Sequence, residues 1–313
     1  MDEWMSHALK NNHYPYGWAE SRGNETDKTQ RREETMELAT ALIILALTGI
    51  AVGFGQGLLG VGGSFIMVPV MFWLFTALEI APDVAIKLAF GSSLLVVFPT
   101  AISGALAHTR KGAVWWKAGI ILGVCGIIGA LAGSTITSRF LSAALLKPVF
   151  GLVVGLGTLQ MIPGTGRLPE VDENPEERPL VWACLGFAVG VFSGLLGIGG
   201  GLILVPVLVM GLKFKMHRAV GTSLATIIFA SFGGALGYLL NGLSLPNLPP
   251  FSRGYLNLLA GACLAVTSIP VAQIGARTAH RLPATQLRYI FSAVMLYIAL
   301  RMLGVFEWLG LPL

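Results

Sequence analysis

The residues best placed to do chemistry form two glycine clusters. Gly57-Leu58-Leu59-Gly60-Val61-Gly62-Gly63-Ser64 recurs as Gly194-Leu195-Leu196-Gly197-Ile198-Gly199-Gly200-Gly201, and each is followed five residues later by a proline, Pro69 or Pro206. Consecutive glycines let the backbone leave helical geometry and turn N–H groups toward one point. A helix that stops before the cluster and restarts after it presents free N–H groups and a positive dipole end. That arrangement holds an anion without a charged side chain. The predicted N–H donors are those of Gly60, Gly62, Gly63 and Ser64, with Gly197, Gly199, Gly200 and Gly201. Hydroxyls come from a second doubled motif, Gly91-Ser92-Ser93 and Gly221-Thr222-Ser223. Neutral hydroxyls can donate to an oxyanion without the cost of a buried cation. Alone they are a weak signal, because hydroxyls in apolar helices often bond to their own preceding carbonyls. Gln56, its counterpart Ser193, and Gln273 add polar groups within apolar stretches, equally suited to interhelical hydrogen bonding and to ligand contact.

The elements that must position these groups are membrane helices. Of 313 residues, 54% are hydrophobic and only 12% charged, and the apolar residues fall in long runs rather than alternating short strands. Forty glycines imply closely approaching helices. The net charge of +5 reads as a topology signal rather than a nucleic-acid footprint. All sixteen carboxylates lie outside the apolar cores: eight in residues 1–37, then Glu79, Asp83, five in residues 163–179, and Glu307. Cation transporters and proton relays usually keep acids within the membrane, so a metal-cation permease is disfavoured. Cys125, Cys184 and Cys263 lack metal or redox spacing and read as small buried packing residues. His108, at the end of an apolar segment, reads as an interfacial residue, and Lys87 and Arg301 as snorkelling cations. No nucleophile–base pair or metal-spaced cluster argues for an enzyme, and no cofactor is expected. Gly55-Gln56-Gly57-Leu58-Leu59-Gly60 formally matches a dinucleotide fingerprint, but no strand precedes it.

Residues 1–36 form a polar tail. Apolar segments follow at 37–60, 64–78, 84–108, 115–136 and 143–162, then an acidic linker, 163–179, then segments at 180–198, 201–212, 217–240, 254–278 and 285–308. The two sets match in order. Gly49, Gly53 and Gly57 correspond to Gly186, Gly190 and Gly194 at a shift of 137; the shift is 130 at the serine motifs and about 142 at Gly133 and Gly275. The second segment of each set is too short to cross a bilayer comfortably, as a half-helix or re-entrant hairpin would be. Each half then crosses an odd number of times, so the repeats are expected to be inverted. The expected fold is an all-α polytopic membrane protein of two inverted-topology repeats, 37–162 and 180–308, each of about five apolar segments with a short Gly/Pro-interrupted second one.

The doubled G-L-L-G-[VI]-G-G-[SG] followed by V-P, and the A-[FV]-G-[ST]-S-L at Ala89–Leu94 and Ala219–Leu224, resemble the TauE/SafE (sulfite exporter, TSUP) permeases over about residues 40–305. The resemblance implies a multi-pass inner-membrane permease of the bacterial type, moving sulfite, sulfonates or related small organic anions. Ser64 in place of a third glycine and the Gln56/Ser193 asymmetry depart from strict repetition. The reading is therefore a secondary transporter of a small anion working by alternating access, with a passive anion channel as the alternative. Its partners are the anion, the lipid bilayer and, where transport is coupled, a proton or sodium ion; a homo-oligomer is compatible, a nucleic-acid partner is not.

Eleven lysines and arginines, from Arg110 to Arg288, lie on one side and five, Lys87, Arg139, Lys147, Arg253 and Arg301, on the other, leaving out the tail. The positive-inside rule puts the larger set in the cytoplasm and both termini outside. With the natural cysteines replaced, an impermeant thiol reagent outside intact cells should label Arg139→Cys and Arg253→Cys and spare Lys111→Cys and Lys213→Cys. The opposite labelling pattern would invert the topology.

Overall fold

The computed structural model describes the backbone of residues 39–161, 177–245, 248–279 and 284–308. The N-terminal tail and most of the acidic linker lie outside the described residues. The chain divides into two compact units, residues 1–44 and 45–313. Eleven helical elements appear among the described residues: α1 (Ala39–Leu59), α2 (Ser64–Ala77), α3 (Pro82–Thr109), α4 (Trp116–Phe140), α5 (Ala143–Met161), α6 (Pro179–Leu196), α7 (Gly201–Pro206, continued by a π-turn, Val207–Gly211), α8 (Met216–Gly242), α9 (Leu258–Ala279), α10 (Ala284–Met302) and α11 (Val305–Trp308). A two-residue-per-strand hairpin, β1 (Ser252–Arg253) and β2 (Leu256–Asn257), precedes α9. The protein is an all-α polytopic membrane protein: α1, α3, α4, α6, α8 and α9 are each long and apolar enough to cross a bilayer. The boundaries follow from ordinary signals. Pro82 and Pro179 open α3 and α6 at the first helical position, where no N–H is needed. Asp83 on α3 accepts a hydrogen bond from the Ala143 N–H and so caps α5.

Along α4, glycines line the packed faces and branched side chains the outer one. On α4, Ile120, Val124 and Ile128 are exposed at four-residue spacing, while Gly119, Gly123, Gly126, Gly129 and Gly133 are on its packed faces. In lipid there is no hydrophobic drive between helices, so close backbone contact supplies the packing. The glycine ridges make it in a crossed pattern. Gly186, Gly190 and Gly194 of α6 lie against the backbone of Leu122, Gly126 and Ala130 on α4, and Gly129 and Gly133 of α4 lie against Phe187 and Val191 of α6. In the same way Gly53 and Gly57 of α1 lie against Ser268 and Ala272 on α9, and Gly275 of α9 lies against Phe54. The first helix of each half therefore packs on the fourth helix of the other.

Three expectations change. Cys184 is exposed and Cys125 and Cys263 are half-buried, so none is a fully buried packing residue. His108 is fully buried, with its Nε2 2.9 Å from the Gly57 carbonyl, rather than interfacial. Lys87 is 8% exposed and donates to the Ser138 carbonyl at 3.0 Å, so its ammonium is held by protein.

A Cβ at Gly53 or Gly190 would fall inside the Ser268 or Gly126 carbonyl. Gly53→Leu and Gly190→Leu should each lower stability by about 3 kcal/mol or more, the upper end of overpacking costs, measured by thermal unfolding in detergent. Gly155→Ala meets nothing nearer than the Ala299 methyl at 3.6 Å. Without that clash, the substitution should be neutral or stabilising by up to about 1 kcal/mol, the helix-propensity difference.

Candidate functional site

Both glycine clusters are breaks between helices. α1 ends at Leu59 and α2 starts at Ser64; α6 ends at Leu196 and α7 starts at Gly201. Gly60 and Gly62, at φ +65° and +78°, match Gly197 and Gly199, at +66° and +75°. Side chains rarely adopt this left-handed region, which is why glycine occupies all four places. The repetition fails at the next residue: Gly63 has φ −83° and Gly200 has +83°. Pro69 and Pro206 lie inside the helical segments that follow, so glycine rather than proline makes each break.

Hydrogen bonding resumes when the N–H groups of Ile66 and Met67 reach the Gly63 carbonyl, and those of Ile203 and Leu204 the Gly200 carbonyl. No side chain caps either helix start. The N–H groups of Gly62, Gly63 and Ser64, and of Gly199, Gly200 and Gly201, consequently have no intrahelical acceptor. The breaks also meet. A Cβ on Gly62 would stand 2.9 Å from the Ile198 oxygen, and one on Gly201 would stand 2.5 Å from the Gly60 oxygen.

Serines from the doubled motif hold the breaks together across the halves. Ser93 on α3 donates to the Gly197 carbonyl at 2.9 Å, and Ser223 on α8 donates to the Gly60 carbonyl at 3.1 Å. Each hydroxyl has one proton, so in this arrangement neither has a proton left for a ligand. Ser92 and Thr222 face the other way. Their oxygens accept from the Asn257 N–H at 2.8 Å and the Trp115 N–H at 3.0 Å, anchoring the loops before α9 and α4.

Three of the buried side-chain atoms without a partner lie at the breaks; others, such as Ser138 Oγ, Trp182 Nε1 and Ser292 Oγ, lie elsewhere. Gln56 Oε1, Ser64 Oγ and Ser193 Oγ have no hydrogen-bond partner, and all three residues are completely buried. Ser193 Cβ stands 3.6 Å from where a Gly200 Cβ would be. Gln56 lies one turn before Gly60, whose N–H it receives on its carbonyl at 2.9 Å. Such atoms cost free energy in an apolar interior unless something hydrogen-bonds to them. Gln273, half-buried on α9, has no hydrogen bond to either break among the described residues. No group of three or more metal-ligating side chains occurs among the described residues.

Two further groups brace the helix ends at the breaks, His108, expected at the interface, and Tyr238, which its residue type did not mark. His108 Nε2 reaches the Gly57 carbonyl at 2.9 Å, and Tyr238 donates to the Gly194 carbonyl at 2.9 Å. These residues are 130 positions apart, the shift of the serine motifs, so the repeat itself carried the signal. Thr137 donates to the Leu195 carbonyl at 2.8 Å and braces the same helix end.

The family described as Sulfite exporter TauE/SafE matches residues 45–302, which include both breaks and both serine motifs. The chain belongs to the TauE/SafE family. Curated relatives of this TauE/SafE protein include a "probable membrane transporter protein" of Methanocaldococcus jannaschii, 28% identical over 85% of this chain and 97% of the relative. Another, from Haemophilus influenzae, is 28% identical over 84% of this chain and 98% of its own. A third, from Xylella fastidiosa, is 32% identical over 62% and 71%. No solved structure is significantly similar to the chain. Family and relatives together make this a membrane transporter.

Ser93→Ala and Ser223→Ala each leave a buried glycine carbonyl without its cross-half donor. Each should lower stability by about 1–2 kcal/mol, the cost of one unsatisfied buried acceptor, read as a lower unfolding midpoint in detergent. Ser92→Ala should instead loosen the Asn257 loop, seen as faster amide exchange there.

Proposed function

We propose that this TauE/SafE transporter moves a small anion, of the sulfite, organosulfonate or related class, by alternating access, and that the anion is held where the two glycine breaks meet. The observation that carries the reading is the set of buried, unpaired polar atoms of Gln56, Ser64 and Ser193 beside helix starts with free N–H groups. N–H groups and hydroxyls form a neutral donor set, suited to an anion that must leave again. The carboxylates whose side chains the structure describes, Glu79, Asp83 and Glu177, lie outside the apolar helix cores. In this reading Gly60 and Gly197 shape the turns, and Gly62, Gly63, Gly199, Gly200 and Gly201 face the anion. Ser93 and Ser223 hold the breaks, and Ser92 and Thr222 tie them to loops at the two mouths.

Inverted repeats, an inner-membrane location and termini outside belong to the same proposal. Three long apolar helices in each half, α1, α3 and α4 against α6, α8 and α9, support the inversion, because an odd count reverses the second half. The crossed pairing of α1 with α9 and α6 with α4 supports two equivalent halves that can rock about the shared breaks. Saturable flux driven by an imposed gradient distinguishes this from a channel, whose flux rises without saturation.

Substitution at the breaks tests the site. A Cβ at Gly63 would fall inside the Val52 side chain, and one at Gly200 would stand 2.7 Å from Val189 Cγ1 at a φ that disfavours it. Anion affinity of monodisperse Gly63→Leu and Gly200→Leu protein should fall by at least about tenfold, more than one hydrogen bond contributes. Full affinity in the well-folded fraction would reduce the clusters to packing.

A further inference from the structure

The three unpaired groups are not chemically alike. Ser64 Oγ and Ser193 Oγ can donate or accept, whereas a carboxamide oxygen can only accept. The Gln56 amide orientation follows from its neighbour. Its Nε2 faces the Val97 carbonyl at 3.4 Å, where an oxygen would be repelled, and this turns Oε1 away from Val97. Val97 itself flanks the second break, its Cγ1 standing 3.1 Å from where a Gly199 Cβ would be. The Gln56 amide thus lies between the end of α1 and the residue that covers Gly199, with an obligate acceptor in a site otherwise made of donors. The second half has no equivalent, because the matching position is Ser193.

A fully deprotonated anion offers this oxygen only repulsion. An anion with an O–H group satisfies it, while its charged oxygens take the N–H and serine donors. We propose that Gln56 is a specificity-determining residue that selects a protonated monoanion: Oε1 accepts a hydrogen bond from the O–H of an oxyanion that carries its own proton. This rests on the anion site proposed above. It means that one proton accompanies each anion without any titrating residue in the membrane. It also means that the substrate loses affinity as pH rises through its last ionisation, because the bound form disappears.

Methylphosphonate and methanesulfonate test this, being close in size and shape. Both are monoanions in mild acid, but only methylphosphonate has an O–H, which it loses near neutrality. Binding is measured on purified full-length protein, in sodium and in choline buffers, with monodispersity and unfolding midpoint checked for each variant. The wild type should bind methylphosphonate roughly five- to tenfold more tightly than methanesulfonate at low pH, the size of one hydrogen bond. Its methylphosphonate affinity should fall about tenfold per pH unit above the ionisation, as linkage to one proton requires, with methanesulfonate flat. Gln56→Met should abolish the preference, because both anions then meet the same apolar side chain. Gln56→Glu, which keeps an acceptor, should weaken both anions and retain the preference.

Other outcomes overturn the proposal in distinguishable ways. Equal wild-type affinities, or equal losses for both anions in Gln56→Met, leave the anion site standing and remove the selector role. Binding that requires sodium and loses that requirement in Gln56→Met would assign the oxygen to a cation instead. Binding of neither anion by well-folded wild-type protein would remove the site and the selector together.

Discussion

A helix interrupted inside a membrane exposes backbone that no water can satisfy, and the rest of this structure depends on how that backbone is held. Each break frees carbonyls and N–H groups at the centre of the apolar fold. The carbonyls are answered by the protein: Ser93 serves Gly197, Ser223 serves Gly60, Tyr238 serves Gly194 and Thr137 serves Leu195. The N–H groups at the two helix starts are not answered in the same way. The backbone carbonyls are thus paired while the N–H groups stay open, the feature on which the proposed anion site rests.

The bonds that hold the breaks run across the halves. Ser93 belongs to the first repeat and Gly197 to the second, and Ser223 and Gly60 reverse that relation. The glycine ridges cross in the same sense, α1 on α9 and α6 on α4. Neither half can therefore complete its own break. Each half is locked to the other at these breaks. The loops anchored by Ser92 and Thr222 connect them to the two ends.

Departures from repetition are as informative as the repeat. The two halves are not identical: Gln56 corresponds to Ser193, Ser64 corresponds to Gly201, and Gly63 and Gly200 differ in the sign of φ. His108 and Tyr238 occupy equivalent places with different chemistry.

Much of this was legible in the residue pattern. Apolar runs marked the helices to within a few residues, because length and hydropathy are local properties. The doubled glycines marked both breaks, because few other residues tolerate φ near +70°. The duplication paired Ser93 with Ser223 by spacing alone. What spacing did not show was direction. Ser92 and Ser93 are adjacent and identical, yet one accepts from a loop N–H and the other donates to a break carbonyl. Lys87 and His108 stand near segment ends, where solvent exposure is the ordinary expectation, and both are buried against backbone carbonyls. These partners lie 51 or more residues away along the chain. A local pattern fixes where a polar group sits on its helix, and only the packing of distant helices decides which atom it meets.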